Sequence, residues 1–100
     1  MRALRILQAL ANDRRRQILE WLKNPESHYP LQVDGDLVKD GVCVRLIAEK
    51  LGISESALRK HMRVLAQSKL VLSKRIKQCT FYKRDENAIR KLQKFIMSEI

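Results

Sequence analysis

Little in this chain can cross-link it or interrupt it. Two cysteines, Cys43 and Cys79, are too few for a disulfide framework, and the cytosol keeps such residues as thiols. Both prolines and two of the three glycines fall between Pro25 and Gly41, so the chain breakers are gathered in one place. No apolar run approaches the roughly 20 residues of a membrane span, which argues against a membrane partner. The opening MRALRILQAL lacks the small-residue cleavage pattern of a secretory signal, and a cytoplasmic protein is expected. Recognisable catalytic apparatus is missing as well. There is no Gly-rich phosphate loop, Ser-His-Asp set or pair of histidines at metal spacing, so no enzyme, metal or cofactor is expected. Acidic side chains are scarce: 11 Asp and Glu stand against 21 Lys and Arg, and none lies between Ser56 and Arg84. The net charge of +10 favours a polyanionic partner, with nucleic acid ahead of an anionic membrane surface or an acidic protein.

What is present fits one small domain over residues 1–100, since 45% hydrophobic residues in a hundred supply one core and not two. Leu4, Leu7 and Ala11 recur at helical spacing, and Ile6 and Leu10 widen that apolar face so that it needs two neighbours. A second helix starts at Asn12 or Asp13, carries Ile18, Leu19 and Leu22 inward with Trp21 beside them, and ends at Asn24 and Pro25. Residues 25–41 then lose periodicity and read as an extended loop, with a short strand at Leu31 to Val33. Val44, Ile47, Ala48 and Leu51 line a third helix that Gly52 terminates, and Ser54 caps a fourth in which Leu58, Met62 and Leu65 form the buried stripe. The interval 70–83 is rich in strand formers broken by Lys77 and Gln78, a hairpin in which Phe81 and Tyr82 are core residues. Ala88, Ile89, Leu92, Phe95, Ile96 and Ile100 trace a last amphipathic helix entered through Asp85 to Asn87. The fold class is mainly α with a small β-hairpin: helix, helix, helix, helix, hairpin, helix.

Two short helices joined by Gly-Ile-Ser make a helix-turn-helix, and the acid-free run covers its second helix and the hairpin. On that second helix, 54–67, Glu55, Ser56, Arg59, Lys60 and Arg63 lie away from the buried stripe, so one face packs while the other offers donors. Ser54, Ser56, Arg59 and Lys60 occupy its first turns, where side chains reach base edges, and Arg59 can read guanine through two parallel hydrogen bonds. Arg63, Lys74, Arg75 and Lys77 suit phosphate contacts. Glu55 is either a base reader, accepting from cytosine N4, or a helix N-terminal charge that offsets the dipole.

The segments "LANDRRRQILEWL" at 10–22, "IAEKLGISESALRKHMRVLAQSKLVLSKR" at 47–75 and "FYKR" at 81–84 together resemble the ArsR/SmtB (arsenic-repressor) family of winged helix-turn-helix regulators. The resemblance covers nearly the whole chain except the loop, which is longer than the family's usual connection. It implies transcription regulation by a dimeric repressor in the cytoplasm, at the prokaryotic nucleoid, with double-stranded DNA as partner. The helix at 54–67 would lie in the major groove of a near-palindromic operator, with the hairpin at 70–83 as wing. The first and last helices would pair between subunits through Leu4, Leu7, Ala11, Leu92, Phe95 and Ile96, consistent with apolar faces wider than a single core requires. His61 matches a histidine of the family motif and is either a phosphate contact or a packed, hydrogen-bonded residue.

Sensor chemistry departs from the family. Where thiolate-sensing members carry Cys-Val-Cys, this chain has Cys43-Val44-Arg45, and a guanidinium cannot ligate a metal. Residues 85–100 hold no histidine for the other familiar site. Arg45 beside Cys43 would favour a redox-reactive thiolate, whereas the plain alternative is a small apolar filler. Cys79, in the wing, is expected on a different element from Cys43, which argues against a bridge within one subunit. His28, Asp34, Asp36 and Asp40 are expected to form a solvated acidic loop, since no Glu stands where a calcium loop would close. The effector, small molecule or redox, is left unknown. Two competing classes are a winged helix that docks protein and a double-stranded RNA binder.

Overall fold

A computed structural model of the chain describes residues 2–99, and Ile100, expected to end the last apolar stripe, lies outside them. Helix α1 (Arg2–Leu10) is followed by α2 (Asp13–Lys23), whose N-cap Asn12 accepts from the Arg15 amide. The exposed carbonyls at the end of α1 are covered from α2: Arg15 donates to Ala9 and Gln8, and Arg16 to Leu10. Two cations at a helix C-terminus also oppose its negative dipole end. Helices α3 (Val44–Leu51) and α4 (Glu55–Gln67) complete the packed set, and the core joins Ile18, Leu19 and Leu22 to Val44, Ile47 and Ala48 and to Leu58, Met62 and Leu65. Each fully buried aliphatic side chain of this kind stabilises the fold by roughly 1.5–3 kcal/mol.

Strands β2 (Val71–Ile76) and β3 (Cys79–Arg84) form the expected hairpin around Lys77 and Gln78. A third strand, β1 (Val42–Cys43), joins its other edge, in the order β1-β3-β2. Val42 faces Tyr82 and Cys43 faces Phe81, while Ser73 faces Tyr82 and Lys74 faces Phe81. Paired residues share a face and successive ones alternate. Arg75, Thr80, Tyr82 and Arg84 therefore lie on one face of the sheet, and Cys43, Lys74, Cys79, Phe81 and Lys83 on the other. Both faces of β3 are covered, which is why the adjacent Phe81 and Tyr82 are both buried.

The loop covers the second face and is held in place. Its Tyr29 and Leu37 are buried, and a Cβ at Gly35 would sit 3.0 Å from the Phe81 ring. The Gln32 amide donates to the Gly41 carbonyl at 2.7 Å and accepts from the Cys43 amide at 3.1 Å. Asp36 accepts from the amides of Val38 and Lys39, and Asp40 from that of Asp36. Gly41 (φ 108°) runs so close to β3 that a side chain there would meet the Tyr82 carbonyl at 2.4 Å.

The strand expected at Leu31 to Val33 does not form. Leu31 and Val33 are 95% and 97% exposed, and the free edge of β3 is taken by Val42 and Cys43 instead. Gln32, between them, spends its amide on fixing that edge strand. The loop is likewise not merely solvated acid, because its carboxylates are engaged. Finally Asp85 caps α5 (Glu86–Glu99) by accepting from the Ala88 amide, and Arg84 reaches the Leu19 carbonyl and Glu86.

Candidate nucleic-acid interface

Gly52 ends α3 in the left-handed conformation (φ 71°), donating to Ala48 and Glu49, and Ile53 donates to Ala48. Ser54 then accepts from the Ala57 amide at 3.0 Å and starts α4 with a new direction. This turn fixes the rotation of α4: Leu58, Met62 and Leu65 face the core, and Ser54, Glu55, Ser56, Arg59, Lys60 and Arg63 are exposed on the other side. Glu55 stands in the first turn, where a carboxylate offsets the helix dipole.

Sheet parity sorts the wing residues. Arg75 lies on the face that β3 presents with Tyr82, the face toward α4. The phenol of Tyr82 is pushed above its ordinary pKa by burial, with the Arg59 and Arg63 guanidinium groups opposing that rise. Arg59, Arg63 and Arg75 are thus exposed cations on the α4 side of the sheet, along helix and wing. Lys74 lies on the opposite face and pairs with Asp40 at 2.7 Å, while Lys77, in the turn, pairs with Asp34 at 3.1 Å. Lys74 holds the Asp40 carboxyl below the usual carboxylate range, first through that hydrogen bond. Lys83 donates to the Lys39 carbonyl. Among the described residues, Arg59, Lys60, Arg63 and Arg75 enter no ion pair.

His61 is half-buried, and its Nδ1 lies 3.3 Å from Nη1 of Arg15. A guanidinium can only donate, so Nδ1 accepts and the ring's proton sits on Nε2. Burial first, then the charges of Arg15 and Arg14, hold its pKa below the ordinary histidine value, so the ring is neutral at physiological pH. The contact of Arg15 with His61 is one that sequence reasoning missed, while Tyr82 is the core residue expected. A period-two pattern from Ser73 to Arg84 marks the strands, but only the pairing register shows which residues share a face with Tyr82.

This arrangement agrees with comparison to known proteins. The chain is 39% identical over 100 residues, the full length of both, to an uncharacterised HTH-type transcriptional regulator, YbzH, of Bacillus subtilis. The chain belongs to the winged helix-turn-helix transcriptional regulators. The regulator is also 31% identical over 86 residues to the nodulation protein NolR of Rhizobium meliloti, spanning 86% of its own length and 58% of that protein's. It superposes with a TM-score of 0.75 on the crystal structure of the ArsR family transcriptional regulator RHA00566, covering 99% of this chain and 92% of that one. At 16% identity that likeness is one of fold alone. No protein-family model matches the chain.

The residues expected to pair two copies lie on the two terminal helices. Leu4 and Leu7 are more than half exposed, Ala11 is exposed, and Phe95 is 46% exposed, with Leu92 and Ile96 half-buried. Helix α5 contributes no buried residue of its own.

The regulator's candidate sensor residues are placed differently from expectation. Cys43 ends β1 and directly precedes α3, and Cys79 begins β3, so the two sit on neighbouring strands and on one face of the sheet. They do lie on different elements, but the unforeseen strand β1 sets those elements side by side, which removes the expected argument against a bridge within one subunit. Arg45 pairs with Glu49 at 3.7 Å. His28 packs against Trp21 and is not turned to the loop aspartates, two of which hold wing lysines. Among the described residues no three His, Cys, Asp or Glu side chains gather as a metal site, and no helix is long and apolar enough to cross a membrane.

Proposed function

We propose that the regulator is a homodimeric repressor of the ArsR/SmtB type that reads a near-palindromic duplex operator. The observation that carries this reading is the exposed, unpaired cationic edge of Arg59, Lys60, Arg63 and Arg75 along α4 and the adjoining face of the wing. Helix α4 enters the major groove with Ser54, Ser56, Arg59 and Lys60 toward the base edges, Arg59 contacting guanine O6 and N7. Glu55 stands where it can accept from cytosine N4. Arg63 and Arg75 bind phosphate, and His61 donates to phosphate from Nε2 while Nδ1 stays with Arg15. Lys74 and Lys77 reach phosphate only by leaving Asp40 and Asp34. Leu4, Leu7, Ala11, Leu92, Phe95 and Ile96 pair the terminal helices of two copies, setting the two α4 helices about one DNA turn, ~34 Å, apart.

Selection from random duplex DNA, followed by titration at two salt concentrations with Arg59→Ala as control, tests the reading. The expected result is a palindromic site whose binding weakens steeply with salt and whose preference at one base pair relaxes in Arg59→Ala. Enrichment of no palindrome overturns it, and salt-insensitive binding to a protein would point to a docking module instead.

A further inference from the structure

We infer that Cys43 and Cys79 form a reversible oxidation site, a thiol pair that a peroxide closes into an intramolecular disulfide. The register carries the inference. Cys43 is paired with Phe81, and Cys79 lies two residues away on the same strand, so both side chains leave the same face as diagonal neighbours. Both are free thiols, Cys79 exposed and Cys43 buried. The Cys79 thiol is pushed above its ordinary pKa, first by repulsion from the neighbouring Cys43 side chain and then by burial. Asp34 adds to that rise and Arg45 opposes it, so one acid and one base flank the pair.

Exposure sets the order of events. The Cys79 thiolate attacks one oxygen of the peroxide, the O–O bond breaks, and the released hydroxide takes a proton and leaves as water, giving a sulfenic acid on Cys79. The Cys43 thiolate then attacks the Cys79 sulfur. The S–S bond forms, the S–O bond breaks, and a second hydroxide leaves as water once protonated. Two thiols have lost two electrons and two protons, and the peroxide has become two waters. Added dithiol reverses the change by thiol–disulfide exchange.

Closing the bridge requires some movement. Diagonal neighbours have Cα atoms about 7–8 Å apart, whereas a disulfide spans about 4.4–6.8 Å. Strand β1 is held by Gln32 and by pairing with β3. Cys79 instead adjoins the two-residue turn of the wing, whose exposed Lys77 is tied only to Asp34. The wing end is the part that moves, so the bridge draws the start of β3 toward the N-terminus of α3.

The full chain is treated with hydrogen peroxide, quenched with catalase, alkylated with N-ethylmaleimide under denaturing conditions and weighed intact. The expected product is a single chain lighter by two hydrogen atoms, carrying no maleimide, that regains two alkylatable thiols after dithiothreitol. Cys43→Ser, given the same dose, should leave Cys79 as a sulfenic acid trapped by dimedone, and Cys79→Ser should stay reduced at Cys43. Wild-type protein that keeps two maleimides, over-oxidises to sulfinic acid, or forms only chain-to-chain disulfides overturns the proposal. Because the readout is mass, the result stands or falls separately from operator binding.

Discussion

Arg15 of α2 donates a guanidinium hydrogen to Nδ1 of His61 on α4, at 3.3 Å and across 46 positions of sequence. The same guanidinium also donates to the carbonyls of Ala9 and Gln8 at the end of α1. One side chain therefore ties a terminal helix to the helix that carries the cationic edge.

Burial first, and this link second, lower the titration of His61. Its imidazole should titrate below the ordinary value of about 6.5, followed by NMR of the ring protons. Arg15→Ala should raise the midpoint without restoring it fully, since burial and not charge is the first cause. A base whose folded pKa is depressed takes up protons more readily when unfolded, so this site costs stability as pH falls through the unfolded value. Melting temperature should drop as pH falls below the ordinary histidine value of about 6.5, and less so in His61→Gln. An unshifted midpoint in the wild type would contradict the packing described.

Salt dependence should separate the wing's two faces. Each phosphate neutralised contributes a slope of about 0.9 in log affinity against log salt. Arg63→Ala should lower the slope of duplex binding by about that amount. Lys74→Ala should lower it by much less, because Lys74 is engaged with Asp40 on the face away from α4. Equal losses would mean that the Lys74–Asp40 pair opens fully on DNA.

Gly41→Ala should be among the more damaging single substitutions. The glycine has φ 108°, and an added Cβ would lie 2.4 Å from the Tyr82 carbonyl, a backbone atom that cannot step aside. We expect a loss of roughly 2–3 kcal/mol. A domain of this size then melts lower by some ~10–20 °C, read by circular dichroism. Gly52→Asn should cost less than about 1 kcal/mol, since nothing lies within 4 Å of its Cβ position and asparagine tolerates that conformation.

Phe95→Glu should dissociate the proposed dimer while leaving the fold intact. The ring is 46% exposed in one chain, and α5 gives the core no buried residue. Loss of an aromatic anchor at an interface costs about 2 kcal/mol or more, roughly a thirtyfold weaker dimer. Sedimentation equilibrium measures the shift, and an unchanged far-ultraviolet dichroism spectrum would show that the monomer remains folded.

Sequence by itself determined the elements whose cause is local. Helical spacing of Leu58, Met62 and Leu65, the Ser54 cap and the Gly52 stop give α3, the turn and α4, and with them the rotation that exposes Arg59, Lys60 and Arg63. The break at Lys77 and Gln78 gives the hairpin. Tertiary structure decided what depends on partners distant in the chain. Strand β1 is two residues long, too short for a period, and exists because Gln32 and β3 hold it. That strand sets Cys43 beside Cys79, and the parity it shares with the hairpin divides the basic residues of the wing. Arg75 joins the cationic edge, and Lys74 turns to Asp40. The loop's aspartates could be read as acidic from the sequence, but their lysine partners lie 34 and 43 residues further along the chain, where no local pattern reaches.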